Sequence, residues 1–102
     1  MLVVFTTAPN SEEANSLAAK IIEKKLAACV HVLPQMTSHY YWDGAIQKEP
    51  EHLVLIKTID ETFERLERFI KENHSYDVPE IVGLKAENVS AEYLSWLKGW
   101  LI

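Results

Sequence analysis

The chain has 102 residues, of which 48% are apolar and 25% are charged, and its formal net charge is −5. This length predicts a single domain over residues 1–102 and excludes a TIM barrel or a two-part dinucleotide-binding enzyme. The acidic balance argues against nucleic acid and anionic membranes as partners, because both select basic surfaces.

The chain begins with a predicted strand and a predicted helix. Residues 2–6 are apolar on both faces, which is typical of a central strand. Asn10 can cap a helix with Glu13 at the third helical position. The apolar residues that follow recur at helical spacing, and we expect this helix to end near Lys25.

A long β-hairpin is predicted next. Residues 28–41 form an extended segment interrupted at Pro34, and residues 45–58 form the return strand. Between them, Asp43-Gly44 is a strong signal for a two-residue turn, since both turn positions need a positive φ. Pro50 predicts a bulge or an exposed edge in the return strand.

The last part of the chain predicts a helix, a strand and a further helix. Asp60 opens the second helix, residues 81–86 form a strand, and Ser90 caps a third helix. The predicted order is βαββαβ followed by a C-terminal helix. This order is the ferredoxin-like α+β arrangement, with both long helices on one face of an antiparallel sheet.

The hairpin is too long for the helix that precedes it. Each arm would reach about 45 Å, whereas the first helix would cover about 22 Å. Yet the distal half carries Tyr40, Tyr41 and Trp42, which prefer burial. We therefore expect a partner subunit to cover these residues.

Five segments resemble, in order, the motifs of the CutA divalent-cation tolerance family. They are Lys25-Leu26-Ala27-Ala28-Cys29-Val30, Ser38-His39-Tyr40-Tyr41-Trp42-Asp43-Gly44, Leu55-Ile56-Lys57-Thr58, His74-Ser75-Tyr76-Asp77-Val78-Pro79-Glu80-Ile81 and Tyr93-Leu94-Ser95-Trp96-Leu97. The resemblance implies a ferredoxin-like protomer in a cytoplasmic homotrimer. It also implies a role in divalent-metal tolerance, with copper or another divalent cation as the bound species.

The same resemblance implies a second reading of function. The trimer of that family is similar to the nitrogen-regulatory PII signal proteins, which bind small effectors between subunits. A PII-like signalling or scaffold module is therefore the alternative to a metal-binding protein. The resemblance implies neither an enzymatic activity nor an organic cofactor, and no catalytic triad, phosphate loop or zinc Cys-x-x-Cys motif is present.

Three residues are candidate metal ligands. Cys29 supplies a soft thiolate, although a lone Cys on a strand is also typical of a small buried apolar residue. His31 shares a strand face with Cys29. Some bacterial members of the resembled family place copper ligands at a first-strand Cys and a His-His pair. These positions hold Thr6 and Asn73-His74 here, which leaves His74 as the candidate from that set.

A second group of residues is predicted to line a cleft or interface between subunits. Lys57 and Glu80 lie at strand ends, where they could instead form a structural salt bridge. The other members are aromatic: Tyr40, Tyr41, Trp42, Tyr93 and Trp96. The remaining histidines, His39 and His52, are predicted to be surface or interface residues. The single cysteine and the absence of a signal-peptide pattern predict a cytoplasmic location.

Overall fold

The computed structural model describes residues 1–102, with five strands and three α-helices. The strands are β1 (Leu2–Ala8), β2 (Cys29–Val32), β3 (Met36–Trp42), β4 (Ala45–Thr58) and β5 (Val82–Lys85); the helices are α1 (Ser11–Glu23), α2 (Phe63–Asn73) and α3 (Ala91–Leu101). None of these helices has the length and hydrophobicity that crossing a membrane would require.

All strand pairs are antiparallel, and the sheet order is β2-β4-β1-β5. β3 continues the line of β2 and pairs with the distal half of β4. This is the order expected of two βα units joined by a hairpin. The predicted ferredoxin-like α+β fold with an extra C-terminal helix is therefore confirmed.

Local capping chemistry sets the starts of α1 and α3. Asn10 Oδ1 accepts a hydrogen bond from the backbone N–H of Glu13 at 2.8 Å. Ser90 Oγ accepts one from the backbone N–H of Tyr93 at 3.3 Å. Each bond satisfies an N–H group that has no partner within the helix, so both predicted caps are confirmed.

The ends of several elements differ from the prediction. β1 extends two residues further, because its ladder with β4 runs as far as the pair Ala8 and His52. α1 ends two residues early, and Lys25 then adopts a left-handed φ of 55° as the chain turns. The segment Asp60–Thr62 forms a separate 3₁₀ turn ahead of α2, and β5 is one residue shorter at each end.

Alternation along the strands gives the sheet two different faces. The helix face carries Val4, Val54 and Ile56, which are fully buried together with residues of α1 and α2. The other face of the sheet, which α1 and α2 do not cover and which we call the open face, carries the side chains that alternate with these along each strand. Its members in β1, β2 and β4 are Val3, Phe5, Cys29, His31, Leu53, Leu55 and Lys57, most of them half-buried.

The hairpin turn is confirmed. Asp43 and Gly44 both have positive φ, at 51° and 77°, as a two-residue type I′ turn requires. Of the two predictions for Pro50, the exposed edge is confirmed, because Pro50 is exposed and the ladder of β4 with β1 ends at His52, whereas the bulge is on the other arm. Three residues (33–35) lie between β2 and β3, whereas two residues of β4 (52–53) lie opposite them. The extra residue is therefore beside Pro34, and the ladder passes Pro50 without interruption.

A side-chain hydrogen bond closes this bulge. His52 Nδ1 donates to the carbonyl oxygen of Leu33 at 2.9 Å, and the Leu33 N–H donates to Leu53 O at the same distance. Because the bulge adds one residue, the parity of the open face changes from odd in β2 to even in β3. Tyr40 and Trp42 thus lie on one side of the hairpin and Tyr41 on the other.

Candidate functional site

Cys29 and His31 form a close pair on β2. They are two residues apart, so both side chains project from the open face, and Cys29 Sγ lies 3.3 Å from His31 Nε2. Cys29 is half-buried and His31 is exposed. A thiolate and an imidazole at this distance are suited to a common Cu or Zn ion.

One protomer does not complete a metal site. No group of three His, Cys, Asp or Glu side chains lies close enough to hold an ion. Across the sheet, Cys29 is opposite Lys57, and Lys57 is opposite Val3. The neighbours of the pair in its own protomer are thus a lysine and an apolar side chain, and neither belongs to the usual Cu or Zn ligands, which are Cys, His, Asp and Glu.

His74 lies away from this pair, just beyond the end of α2. Its side chain is fully buried, and Nε2 donates to the carbonyl oxygen of Thr7 at 2.6 Å. The backbone N–H of Tyr76 donates to Nδ1 at 3.0 Å. Val3 lies in the same row of the sheet as Cys29. Thr7 is four residues further along β1, so His74 contacts the strand about 13 Å from that row.

Both ring nitrogens of His74 are therefore occupied by backbone groups. Glu13 adds a second tie, since its Oε2 accepts from the N–H and the hydroxyl of Ser75 and lies 3.5 Å from His74 Nδ1. Within the protomer, His74 anchors the segment that follows α2 to β1. The structure does not bring it together with Cys29 and His31.

A cavity of about 500 Å³ lies at the base of the hairpin. It is bounded by the open-face side of β3 and β4 and by the segment 76–80. Three of the predicted cleft residues, Tyr40, Trp42 and Glu80, line it. Tyr41 does not, because it lies on the opposite side of the hairpin, where it pairs with Ile46.

A buried carboxylate in this cavity was not predicted from the sequence. Glu51 is only 7% exposed, and its Oε2 accepts a hydrogen bond from the hydroxyl of Tyr76 at 2.8 Å. Burial, and then the Glu51 carboxylate, raise the pKa of Tyr76 above its ordinary value. The alternation of side chains along β4 could have indicated this burial. Glu51 lies on the same strand face as Leu53 and Leu55, which are apolar.

The other predicted cleft residues gather at the far end of β4. Lys57 Nζ lies 5.6 Å from the ring centroid of Tyr93, a cation–π distance, and the Tyr93 and Trp96 rings are 5.4 Å apart. Lys57 forms no salt bridge with Glu80 in the protomer, because Glu80 is in the hairpin cavity. The predicted cleft set is thus divided among three places.

The model of the CutA1 divalent ion tolerance protein family matches residues 2–99. The chain belongs to the CutA1 family. It is 42% identical to the divalent-cation tolerance protein CutA of Thermus thermophilus, over 94% of this chain and 93% of that protein. It is 43% identical to the chloroplastic CutA 1 of rice over 95% of this chain, but spans only about half of that relative's length, 55%.

Solved CutA structures have the same fold. The structure of the periplasmic CutA from Archaeoglobus fulgidus superposes with a TM-score of 0.96, at 34% identity and complete coverage of both chains. Rice CutA1 gives a TM-score of 0.94 at 42% identity, over 97% of this chain and 91% of that one. The long hairpin and the C-terminal helix are thus features that this chain shares with other CutA proteins.

In this CutA1-family chain, Thr6 is a buried residue with an unused hydroxyl. It is fully buried on the helix face, and its Oγ1 has no hydrogen-bond partner. An unsatisfied buried hydroxyl costs about 1–3 kcal/mol, whereas an apolar group of the same shape carries no such cost. We expect Thr6→Val to raise the free energy of unfolding by about 1 kcal/mol.

Urea titration of both proteins measures this gain. Thr37→Val, at an exposed position in β3, is the matched control for strand propensity and should change stability by less than about 0.5 kcal/mol. A loss of stability in Thr6→Val would show that the hydroxyl has a role in the folded state.

Tyr76 is expected to make the protein sensitive to alkali. Its pKa is raised on folding, so its contribution is complete below the unfolded-state pKa of about 10 and declines as the pH rises above that value. At pH 7, Tyr76→Phe should cost about 1.5–3 kcal/mol, because Glu51 loses its donor. As the pH rises above about 10, the pKa of the unfolded-state tyrosine, this difference should shrink.

Denaturant titrations of the wild type and the variant at several pH values follow the difference directly. Tyr41→Phe is the control, since Tyr41 is largely exposed and donates no hydrogen bond within the protein. A difference that stays constant up to pH 11 would contradict the role of the Tyr76 proton.

Proposed function

We propose that this CutA1-family chain is a cytoplasmic homotrimer of one domain per chain that binds a divalent cation, with copper preferred, at the Cys29–His31 pair. The observation that carries the proposal is the 3.3 Å separation of the thiol sulfur and the imidazole nitrogen on one strand face. The proposal requires a reducing compartment, because only a reduced Cys29 can act as a thiolate ligand. The proposal includes no catalytic step.

Ligand number links metal binding to assembly. A protomer offers two adjacent ligands, and stable copper or zinc sites in proteins use three or four. Three copies supply three Cys29–His31 pairs, so ligands from neighbouring chains can complete a coordination shell. His74 takes no part, since both its ring nitrogens are already bonded.

Exposed apolar surface supports the homotrimer. On the hairpin, Tyr41 is 72% exposed and Ile46 is 84% exposed. At the other edge of the sheet, Val82 and Leu84 of β5 share the open face and are also exposed. A soluble monomer rarely leaves such residues in contact with water, whereas an interface between subunits would bury them.

Metal titration tests the proposal. Purified protein is titrated with Cu(I), Cu(II) and Zn(II) against a weak competing chelator, as wild type and as Cys29→Ser and His31→Ala. We expect both variants to bind about tenfold more weakly or worse, because each removes one of few ligands. Affinity should rise with pH, since the imidazole and the thiol must both lose a proton.

His39→Ala is the matched control for the loss of a histidine. His39 lies on the hairpin, away from the pair, and its loss should leave metal affinity unchanged. If Cys29→Ser and His31→Ala bind as the wild type does, the assignment of the metal to this pair is wrong. A loss of affinity in His39→Ala alone would assign the metal to the hairpin.

Oligomeric state is tested separately by sedimentation equilibrium. We expect a mass of three times the 11.7 kDa of one chain at micromolar concentration. Ile46→Asp should favour the monomer, because it places a charge in the apolar surface that the trimer would bury. A monomeric wild type, or an Ile46→Asp variant that assembles as the wild type does, would contradict the homotrimer.

A further inference from the structure

The imidazole of His74 completes the edge of β1 beyond the end of β5. The backbone N–H of Ala86 donates to the carbonyl oxygen of Met1, so the odd-numbered residues of β1 direct their main-chain groups toward β5. The pairing of β5 with β1 ends at Phe5, which leaves the carbonyl of Thr7 outside the ladder. His74 Nε2 donates to this carbonyl at 2.6 Å and so replaces a backbone donor of β5.

The partners of the ring determine its protonation state. Nε2 faces a carbonyl oxygen, which can only accept a hydrogen bond, and Nδ1 faces the backbone N–H of Tyr76, which can only donate one. The neutral imidazole with its single hydrogen on Nε2 satisfies both bonds. An imidazolium carries a hydrogen on each nitrogen, so its Nδ1–H points at another donor. Protonation of His74 therefore breaks its bond to Tyr76.

A carboxylate lies beside the same nitrogen. Glu13, in the first turn of α1, places Oε2 3.5 Å from His74 Nδ1, and the N–H and hydroxyl of Ser75 donate to that oxygen and hold it there. With a neutral ring, Nδ1 and Oε2 are both acceptors. With an imidazolium they form a charge-assisted hydrogen bond. Because an imidazole gains its proton at a higher pH than a carboxylate does, the carboxylate is still an anion when the imidazolium forms.

The other elements around the ring add a second carboxylate. The Tyr76 ring lies 4.8 Å from the imidazole, centroid to centroid, and its hydroxyl is bonded to Glu51 of β4. β1 presents a carbonyl and has no titratable side chain. Of the lysines on the two long helices near this point, Lys20 is exposed in the last turn of α1, and Lys71 of α2 is paired with Glu67 at the surface. The local charges thus favour the imidazolium.

We propose that His74 is a pH-sensitive switch for residues 75–80. The neutral ring holds the backbone of Tyr76, whereas the imidazolium exchanges this bond for one to Glu13 and keeps its bond to Thr7. In acid, Tyr76 and the residues after it are then free to move. The imidazole has no exposed surface within the protomer, so assembly leaves its partners unchanged. The inference goes beyond the proposed metal function and uses neither of its ligands.

NMR spectroscopy of the 15N-labelled, assembled protein tests the switch between about pH 8 and pH 5, the range in which imidazoles titrate. At the upper end we expect the ring nitrogens of His74 to report a hydrogen on Nε2 only. As Nδ1 gains its proton, the protection of the Tyr76 amide, corrected for the intrinsic pH dependence of exchange, should fall about tenfold. A ring that stays neutral throughout, or a Tyr76 amide that keeps its protection beside a charged ring, would overturn the inference.

Three variants identify the groups responsible. Glu13→Gln keeps an oxygen for Ser75 but removes the charge, so the Tyr76 transition should move to lower pH. Glu12→Gln, at an exposed position one residue away, is the matched control and should behave as the wild type does. His74→Gln, whose amide takes up no proton, should show no Tyr76 transition. Identical transitions in the two glutamate variants, or a transition that persists in His74→Gln, would refute the switch.

Discussion

Ile56→Ala is expected to lower the free energy of unfolding by about 2–5 kcal/mol. Ile56 is fully buried near the C-terminal end of β4 and contributes to the core between the sheet and the two long helices. Removing its outer carbons leaves a cavity that close-packed neighbours fill only in part. Urea denaturation at a fixed protein concentration measures the loss.

The same strand provides a control with the same side chain. Ile46 is 84% exposed in the protomer, so Ile46→Ala should cost less than about 0.5 kcal/mol of protomer stability. Any cost that grows with protein concentration would instead report a contact between subunits. Equal, concentration-independent losses in both variants would contradict the placement of the core.

His74→Ala is expected to cost about 2–4 kcal/mol. The imidazole satisfies the carbonyl oxygen of Thr7 and the N–H of Tyr76, and each group loses its partner in the variant. The segment after α2 should also become more mobile, because its tie to β1 is removed. Denaturant titration gives the loss of stability, and amide exchange at Tyr76 reports the local loosening.

His39→Ala is the matched substitution at an exposed histidine and should change stability by less than about 0.5 kcal/mol. One result for His74→Ala would make His74 a candidate metal ligand again. If His74→Ala kept wild-type stability and lost metal affinity, its ring would act as a ligand and its backbone contacts would be incidental.

Local chemistry made much of the fold predictable. Asn10 and Ser90 cap their helices as expected, and Asp43-Gly44 forms the expected turn, because each of these features depends on a few neighbouring residues. The pair of Cys29 and His31 was also predictable, since side chains two apart on a strand share a face.

Contacts between segments distant in sequence were harder to predict. A proline can disturb either arm of the hairpin, at Pro34 or at Pro50, and the sequence does not say which arm carries the extra residue. That choice decides which of the neighbouring aromatics enter the cavity, and so it separates Tyr41 from Tyr40. Thr7 is 67 residues from His74 in sequence, and Tyr76 is 25 residues from Glu51, and no local pattern predicts contacts over such separations.

The main core cluster contains no residue between Ala27 and Val54. Beyond the first sheet rows, the hairpin therefore contributes little to the core that stabilises the protomer. Substitutions there that keep the turn and the Glu51–Tyr76 bond should leave the folded protomer intact. Any restriction on the amino acids of the hairpin would then come from assembly or from ligand binding. A library of hairpin variants sorted for solubility should therefore be permissive, and the same library sorted for assembly or ligand binding should be restrictive at the same positions.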